Sequence, residues 1–222
     1  MIVVEYHLVG RVDLVRRVRE ELDLSGIVLV GGKSHRLGRN KAVEFIDGQP
    51  LIVRIISRLS RLTQQTVVVV NDEKRISLLP LPDSAKVAVD VYPDKGPLGG
   101  IFTGLSAAQS QWAIVVACDM PFLNLKLLNH MISLRNGNDA IVPVIENQPE
   151  PTHALYSKAC LPHIESKLKT NDLKIASFFN QVRVKLLPQE EIDPMDPDHL
   201  SFFNVNTQQD LDYARTLVSQ GQ

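Results

Sequence analysis

Cysteine is scarce in this chain, with only Cys118 and Cys160 in 222 residues. Two thiols so widely spaced make neither a disulfide framework nor a C-x-x-C metal or redox site. Cys118 closes the apolar run Ala113 to Ala117, and a free cysteine in that setting reads as a small buried side chain rather than a nucleophile. Net charge is also lacking: 24 Lys plus Arg face 25 Asp plus Glu. No global field exists to hold nucleic acid or an anionic membrane surface. No apolar run approaches the roughly 20 residues that cross a bilayer, and residues 1–11 interrupt their apolar character with Glu5 and His7, unlike a secretory segment. The expectation is a cytoplasmic protein without nucleic-acid or membrane partners. Repeats and low-complexity tracts are missing too, and 44% hydrophobic content over this length is read most economically as one α/β domain with a substantial core.

Two familiar phosphate loops are also absent. The Walker pattern needs a glycine where Ile27 stands relative to Gly32-Lys33-Ser34, and Gly26 misses by one. The dinucleotide fingerprint fails because the next glycine after Gly31 and Gly32 is Gly38. What is present is a glycine-rich loop from Leu29 to Lys41 directly after the apolar run Ile27 to Val30, with Lys33, Arg36, Arg39 and Lys41 along it. Glycines let backbone N–H groups approach a phosphate closely, and the four cations can neutralise a polyphosphate.

Short apolar, β-branched runs recur at Ile27–Val30, Val67–Val70, Lys86–Val91, Ala113–Ala117, Ala140–Val144 and Val182–Leu186, as buried strands do. Segments with helical spacing alternate with them: Leu51, Ile55, Ile56 and Leu59; Leu98, Ile101, Leu105 and Ala108; Leu125, Leu128, Met131 and Ile132. This alternation predicts a mainly parallel sheet covered by helices. Thr207 and Asp210 have capping-box spacing ahead of Leu211, Ala214 and Leu217, which predicts a final helix after a strand or loop over Phe202–Asn206. Residues 1–24 are expected to be an N-terminal extension, extended to Val9 and then helical through Leu14, Val18 and Leu22, ahead of a single domain over residues 25–222. The stretch Glu190–His199 reads as a solvated, proline-stiffened loop rather than a calcium site.

Each polar motif follows an apolar run, and in open α/β sheets ligands sit outside the carboxyl ends of the strands. Asn71-Asp72, then Asp90 through Gly96-Pro97-Leu98-Gly99-Gly100, then Cys118-Asp119-Met120-Pro121, and finally Asn204-Val205-Asn206-Thr207 could therefore converge on one cleft. Taken singly, Asp119, Asp90 and Asn71 could also be turn formers, and Lys33 and Arg39 solvated loop charges. His153 has no metal-ligand spacing around it, and Phe178, Phe179, Phe202, Phe203 and Trp112 read as core.

Taken together, the glycine-rich loop, G-P-L-G-G, C-D-M-P and N-V-N-T, over about Ser25 to Val218, resemble the nucleotidyltransferases of the molybdenum cofactor guanylyltransferase type. That resemblance implies a three-layer, Rossmann-like α/β fold. It also implies transfer of GMP from GTP to the phosphate of Mo-molybdopterin, giving the dinucleotide cofactor and pyrophosphate. Leu29, Val30, Gly31 and Gly32 would then lie along the nucleotide through backbone contacts, with Asn71 and Asp90 holding the nucleoside. Lys33, Arg36 and Lys41 would meet the phosphates, and Asp119 would bind Mg2+ with help from Asn206. Molybdoenzymes or their chaperones are the implied protein partners. This chain has Asn40 where the family usually has Asp, Val30 for Ala, Gln208 for Pro, and Asn171-Asp172-Leu173-Lys174 where a glycine and arginines are usual. A cytidylyltransferase, a transferase using another phosphorylated acceptor, and a catalytically weak module docking a molybdoenzyme remain open alternatives.

The chemistry can also be reasoned from the residues. An acceptor phosphate oxygen attacks the α-phosphorus while pyrophosphate leaves in line, so charge must be neutralised on both sides and no Ser or Cys nucleophile is needed.

Overall fold

A computed structural model describes residues 23–31 and 40–221 of the protein. The first apolar run is strand β1 (Leu24–Val30), buried along its whole length. After it come the short hairpin β2 (Phe45–Ile46) and β3 (Gln49–Pro50), helix α1 (Leu51–Leu59), β4 (Gln65–Val70), β5 (Ala85–Val89), α2 (Gly96–Ala107) and β6 (Trp112–Ala117). The chain continues through α3 (Leu125–Ser133), β7 (Ala140–Ile145), β8 (Gln148–Pro149), β9 (His153–Ser157), α4 (Leu161–Lys169), β10 (Val184–Leu187), α5 (Gln189–Ile192) and α6 (Gln208–Ser219).

The main sheet runs β10-β7-β9-β6-β1-β4-β5, with β8 paired to β7. Strand β1 is parallel to both β4 and β6, β5 is parallel to β4, and β10 is parallel to β7. The antiparallel strands are β9, inserted between β6 and β7, and β8, paired to β7.

The central strands are continuous apolar runs because both their faces are covered. Val28, Val30, Val68, Val70, Ile114 and Val116 belong to one core layer with Ile52, Ile55 and Leu59 of α1 and Leu127, Leu128 and Met131 of α3. Ile27, Leu29, Val67, Val69, Ala113 and Val115 belong to the other, with Leu98, Ile101 and Leu105 of α2 and Ile164 and Leu168 of α4. This is the expected mostly parallel sheet with helices on both faces. Helix α2 lies as close to β1 as a glycine allows: a Cβ on Gly104 would come within 2.5 Å of Ile27 Cγ2. A third, smaller cluster of Ile46, Leu51, Phe122, Val205, Leu211 and Ala214 pins α6 to the hairpin and to the loop following β6.

Several elements depart from expectation at their edges. Strand β1 begins at Leu24, one residue before the domain start expected at Ser25, while residues 1–22 lie outside the described residues. Of the two forms expected for Phe202–Asn206, strand or loop, the structure has the loop, following a 3-10 turn over Leu200–Phe202. The acidic stretch is not simply solvated. It contains α5 and the buried Asp196, which accepts the Ser201 N–H at 2.9 Å, and the amide of Asn124 donates to the Met195 carbonyl at 2.7 Å. This stretch is tied to the N-cap of α3, which the sequence pattern gave no means of seeing.

Candidate active site

Four neighbouring strands, in the order β6-β1-β4-β5, end on the same edge, and after them come Asp119, Gly31, Asn71 and Asp90. These residues border one cleft of about 290 Å3. A parallel sheet aligns its carboxyl ends, so motifs far apart in sequence become neighbours there.

Leu29, Val30 and Gly31, at the end of β1, line the floor of the cleft. The side chains of Leu29 and Val30 enter opposite core layers, so this strand end offers the cleft mainly backbone. A Cβ on Gly31 would stand 3.1 Å from Asn71 Oδ1, which shows how closely the amide of Asn71 lies over it. Gly32, Lys33, Arg36 and Arg39 lie outside the described residues.

Asp90 is buried, and its Oδ1 accepts both the Tyr92 N–H at 3.0 Å and the Thr103 hydroxyl at 2.7 Å. These bonds fasten the loop after β5 onto α2. The glycine pair there serves the same join: a Cβ on Gly99 would meet the Tyr92 carbonyl at 2.8 Å, and one on Gly100 would meet Leu29 Cδ2 at 3.1 Å. Gly99 is thus required for packing, whereas Gly100, with Gly96 and Pro97, also lines the cleft. The N-terminus of α2 opens at this wall, with Gly96 at φ +64 just before Pro97. A helix start of this kind presents unpaired N–H groups and a partial positive charge to an anion.

At the other end stand Lys41, Asp119 and Asn206. Lys41 opens a 3-10 turn, Lys41–Val43, capped by Asn40, whose Oδ1 accepts the Ala42 N–H at 3.2 Å. Its ammonium lies 3.2 Å from Asp119 Oδ2 and 2.5 Å from Asn206 Oδ1. Asp119 is held through its backbone, its carbonyl accepting the Val205 N–H at 2.9 Å. Arg54 and Arg58 of α1 donate to the carbonyls of Pro121 and Leu123. Asn206 is fixed by the predicted capping box of α6: Asp210 accepts the N–H groups of Asn206 and Thr207 at 2.8 and 2.7 Å, while Thr207 Oγ1 accepts the Asp210 N–H at 3.1 Å. Burial would raise the Asp210 carboxyl, but these two N–H groups, the Thr207 hydroxyl and the nearby Lys41 charge outweigh it and hold the group below its ordinary range.

The buried cysteine reading holds. Burial, with the neighbouring Asp119 charge, pushes the Cys118 thiol up to about 12, so no thiolate faces the cleft. His153 is likewise no base in the cleft: it is fully buried on β9, its ring tilted against that of Phe202 with centroids 4.9 Å apart. Sequence reasoning assigned no role to Thr152, yet it lines the cleft beside Asp119, and its carbonyl accepts the Ala117 N–H at 3.1 Å. Asn204 also lines it, and its place in the N-V-N-T motif was the available signal. In the region compared with a family glycine, Asn171 adopts φ +59 and accepts from Lys95 Nζ at 2.7 Å, while Asp172 pairs with Lys167 at 2.9 Å. Asn is among the few residues besides glycine that take this conformation readily.

Among the described residues no group of three or more His, Cys, Asp or Glu could hold a metal ion. What the site offers is one carboxylate oxygen and one amide oxygen converging on a single cation, the Lys41 ammonium. Two hard oxygens suit Mg2+, which keeps several waters and takes further oxygens from a bound phosphate.

The layered sheet, the strand-end cleft and its cation-bearing pole define a Rossmann-like nucleotidyltransferase. A family model, the MobA-like NTP transferase domain, matches residues 26–185, and the chain belongs to that family. A molybdenum cofactor guanylyltransferase of Desulfosudis oleivorans is 33% identical over 89% of this chain and 97% of its own length. A probable molybdenum cofactor guanylyltransferase of Pelotomaculum thermopropionicum is 32% identical over 89% and 94%. The crystal structure of molybdopterin-guanine dinucleotide biosynthesis protein A from Archaeoglobus fulgidus superposes with a TM-score of 0.77 at 30% identity, covering 88% of this chain and 99% of that one.

Proposed function

We propose that the protein is a molybdenum cofactor guanylyltransferase, transferring GMP from GTP to the phosphate of Mo-molybdopterin and releasing pyrophosphate. The observation that carries this reading is the convergence of Lys41, Asp119 and Asn206 at one end of a cleft whose floor is the end of β1. The names of the relatives over nearly their whole lengths supply the substrate pair.

In this reading the backbone of Leu29, Val30, Gly31 and Gly32 lies along the nucleotide, with Asn71 and Asp90 at the nucleoside. Asp90 has Oδ1 committed to Tyr92 and Thr103, which leaves Oδ2 for a ribose or base donor. Lys33, Arg36 and Lys41 take up the triphosphate and the charge that grows on departing pyrophosphate. Arg36 can hold two phosphate oxygens at once in a way that lysine cannot. Asp119, with Asn206, would hold Mg2+. That ion, when bound, polarises the α-phosphate and neutralises charge on it. The acceptor is already an anion, so no general base is assigned. The setting is read as cytoplasmic, where GTP is made and thiols such as Cys118 and Cys160 stay reduced. No described helix is long and apolar enough to cross a membrane. Molybdoenzymes or their chaperones are the proposed recipients of the product.

Titration of the purified protein with GTP, CTP, ATP and UTP in the presence of Mg2+ tests the base assignment. GTP is expected to bind in preference. A preference for CTP would move the assignment to a cytidylyltransferase, and no nucleotide binding at all would end the transferase reading.

A further inference from the structure

Lys41 occupies the position that a metal ion would need. Its ammonium can donate three hydrogen bonds, and two of them meet Asn206 Oδ1 at 2.5 Å and Asp119 Oδ2 at 3.2 Å. Both charged side chains are largely withdrawn from water, Lys41 at 16% and Asp119 at 19% exposure. Asn40, immediately before Lys41, is uncharged, and its Oδ1 is turned to the Ala42 N–H. Asn206 cannot easily retreat, because Asp210 holds its backbone against the start of α6. The backbones that carry the two oxygens are therefore held, while Lys41 reaches them on a long side chain. Its four-carbon stem and three rotatable donors allow a swing that a planar guanidinium would not follow.

A Mg2+ ion held by these two oxygens would need the space the ammonium now fills. Two cations cannot share that space, and their repulsion is screened less at this largely buried pair than in bulk water. We propose that Lys41 is a placeholder cation. It neutralises Asp119 in the free protein, yields the Asp119–Asn206 seat to the divalent ion, and is thereby released toward the nucleotide phosphates. The proposal rests on the nucleotidyltransferase reading above. Its consequence is coupling: a triphosphate that attracts Lys41 vacates the seat, and an ion in the seat frees Lys41 for the triphosphate, each favouring the other to the same degree.

Two measurements on nucleotide-free protein test it, with Mn2+ alone as the first probe and Mg2+ alone as the second. Electron paramagnetic resonance titration is expected to show Mn2+ binding Lys41→Gln at least about tenfold more tightly than wild type, and binding at this site lost in Asp119→Asn. Because removal of any nearby positive charge would tighten Mn2+ somewhat, the second measurement follows Lys41 itself. Acetylation of its amine, quantified by mass spectrometry, is expected to rise severalfold on saturation with Mg2+ in wild type and to ignore Mg2+ in Asp119→Asn. Unchanged Lys41 labelling while Mn2+ binds at Asp119 overturns the exchange and leaves the proposed function standing. Metal binding that Asp119→Asn does not reduce overturns both the exchange and the assignment of Asp119.

Discussion

At one end of the cleft Asp90 is buried, with Oδ1 already accepting from the Tyr92 N–H and the Thr103 hydroxyl. At the other end Asp119 is about a fifth exposed, and its carboxylate meets the Lys41 ammonium. Both residues follow parallel strands and both belong to the expected site, yet they are built into the molecule differently. Asp90 holds a loop to a helix, so its chemistry is inseparable from the fold. Asp119 is positioned through its backbone, by Val205 and the arginines of α1 acting on the segment that follows, which leaves the carboxylate available for an exchangeable partner. A group whose position is set by main-chain bonds can change its side-chain partner without cost to the fold.

The largest effect should come from Asp119→Ala. Turnover is expected to fall about a hundredfold to a thousandfold, the usual loss for one preorganised charge at a transition state, with thermal unfolding almost unmoved. Retained activity at saturating Mg2+ would remove Asp119 from the chemistry and dissolve the contrast with Asp90.

His153 sharpens the comparison as a buried polar group in neither role. It is fully buried opposite Val116 of β6, with neither ring nitrogen hydrogen-bonded to a described residue, and burial lowers its pKa from 6.5 to about 4. The unfolded chain therefore binds a proton that the folded protein refuses. Its contribution to stability is complete above about pH 6.5 and is lost progressively as pH falls to about 4, amounting to about 3 kcal/mol in all. Urea unfolding across that window should show the slope in wild type, and His153→Phe should flatten it. An unchanged slope in the variant would place the proton uptake elsewhere.

Asp90→Ala, unlike Asp119→Ala, should cost stability as well as nucleotide binding. Loss of the acceptor for Thr103 and Tyr92 is expected to cost about 1–3 kcal/mol of stability, readable in denaturant midpoints. A variant as stable as wild type would make Asp90 a purely functional residue.

The smallest effect is expected from Asn40→Asp. Either side chain can cap the Ala42 N–H, so turnover should stay within about tenfold, near 1.4 kcal/mol, or rise. A greater loss would mean that Asn40 has a role of its own.

The two ends also differ in how far they could be read from the amino-acid sequence. Central strands and the helices α1, α2, α3 and α6 were legible because burial on both sheet faces, or along one helix face, writes a plain apolar period. Strand β9 was not, since His153 and Ser157 bracket its short apolar centre and only their place between β6 and β7 buries them. Helix α4 was hidden by Pro162 and His163 near its start. At the site, Gly31, Asn71, Asp90 and Asp119 could be expected to meet, because parallel strands bring their carboxyl ends together. The pairing of Lys41 with Asp119 and Asn206, 78 and 165 residues away in the chain, belongs to tertiary structure alone. So does Thr152 in the cleft, brought there by the antiparallel β9. The expected roles of Gly32, Lys33 and Arg36 lie outside the described residues.

The most direct measurement is product analysis with Mo-molybdopterin as acceptor, Mg2+, and GTP or CTP as donor, following pyrophosphate and dinucleotide together. The account predicts equimolar pyrophosphate and guanine dinucleotide from GTP, little product from CTP, and no pyrophosphate when the acceptor is left out. GTP bound without any turnover in the presence of acceptor, or cytosine dinucleotide formed in preference, would contradict it.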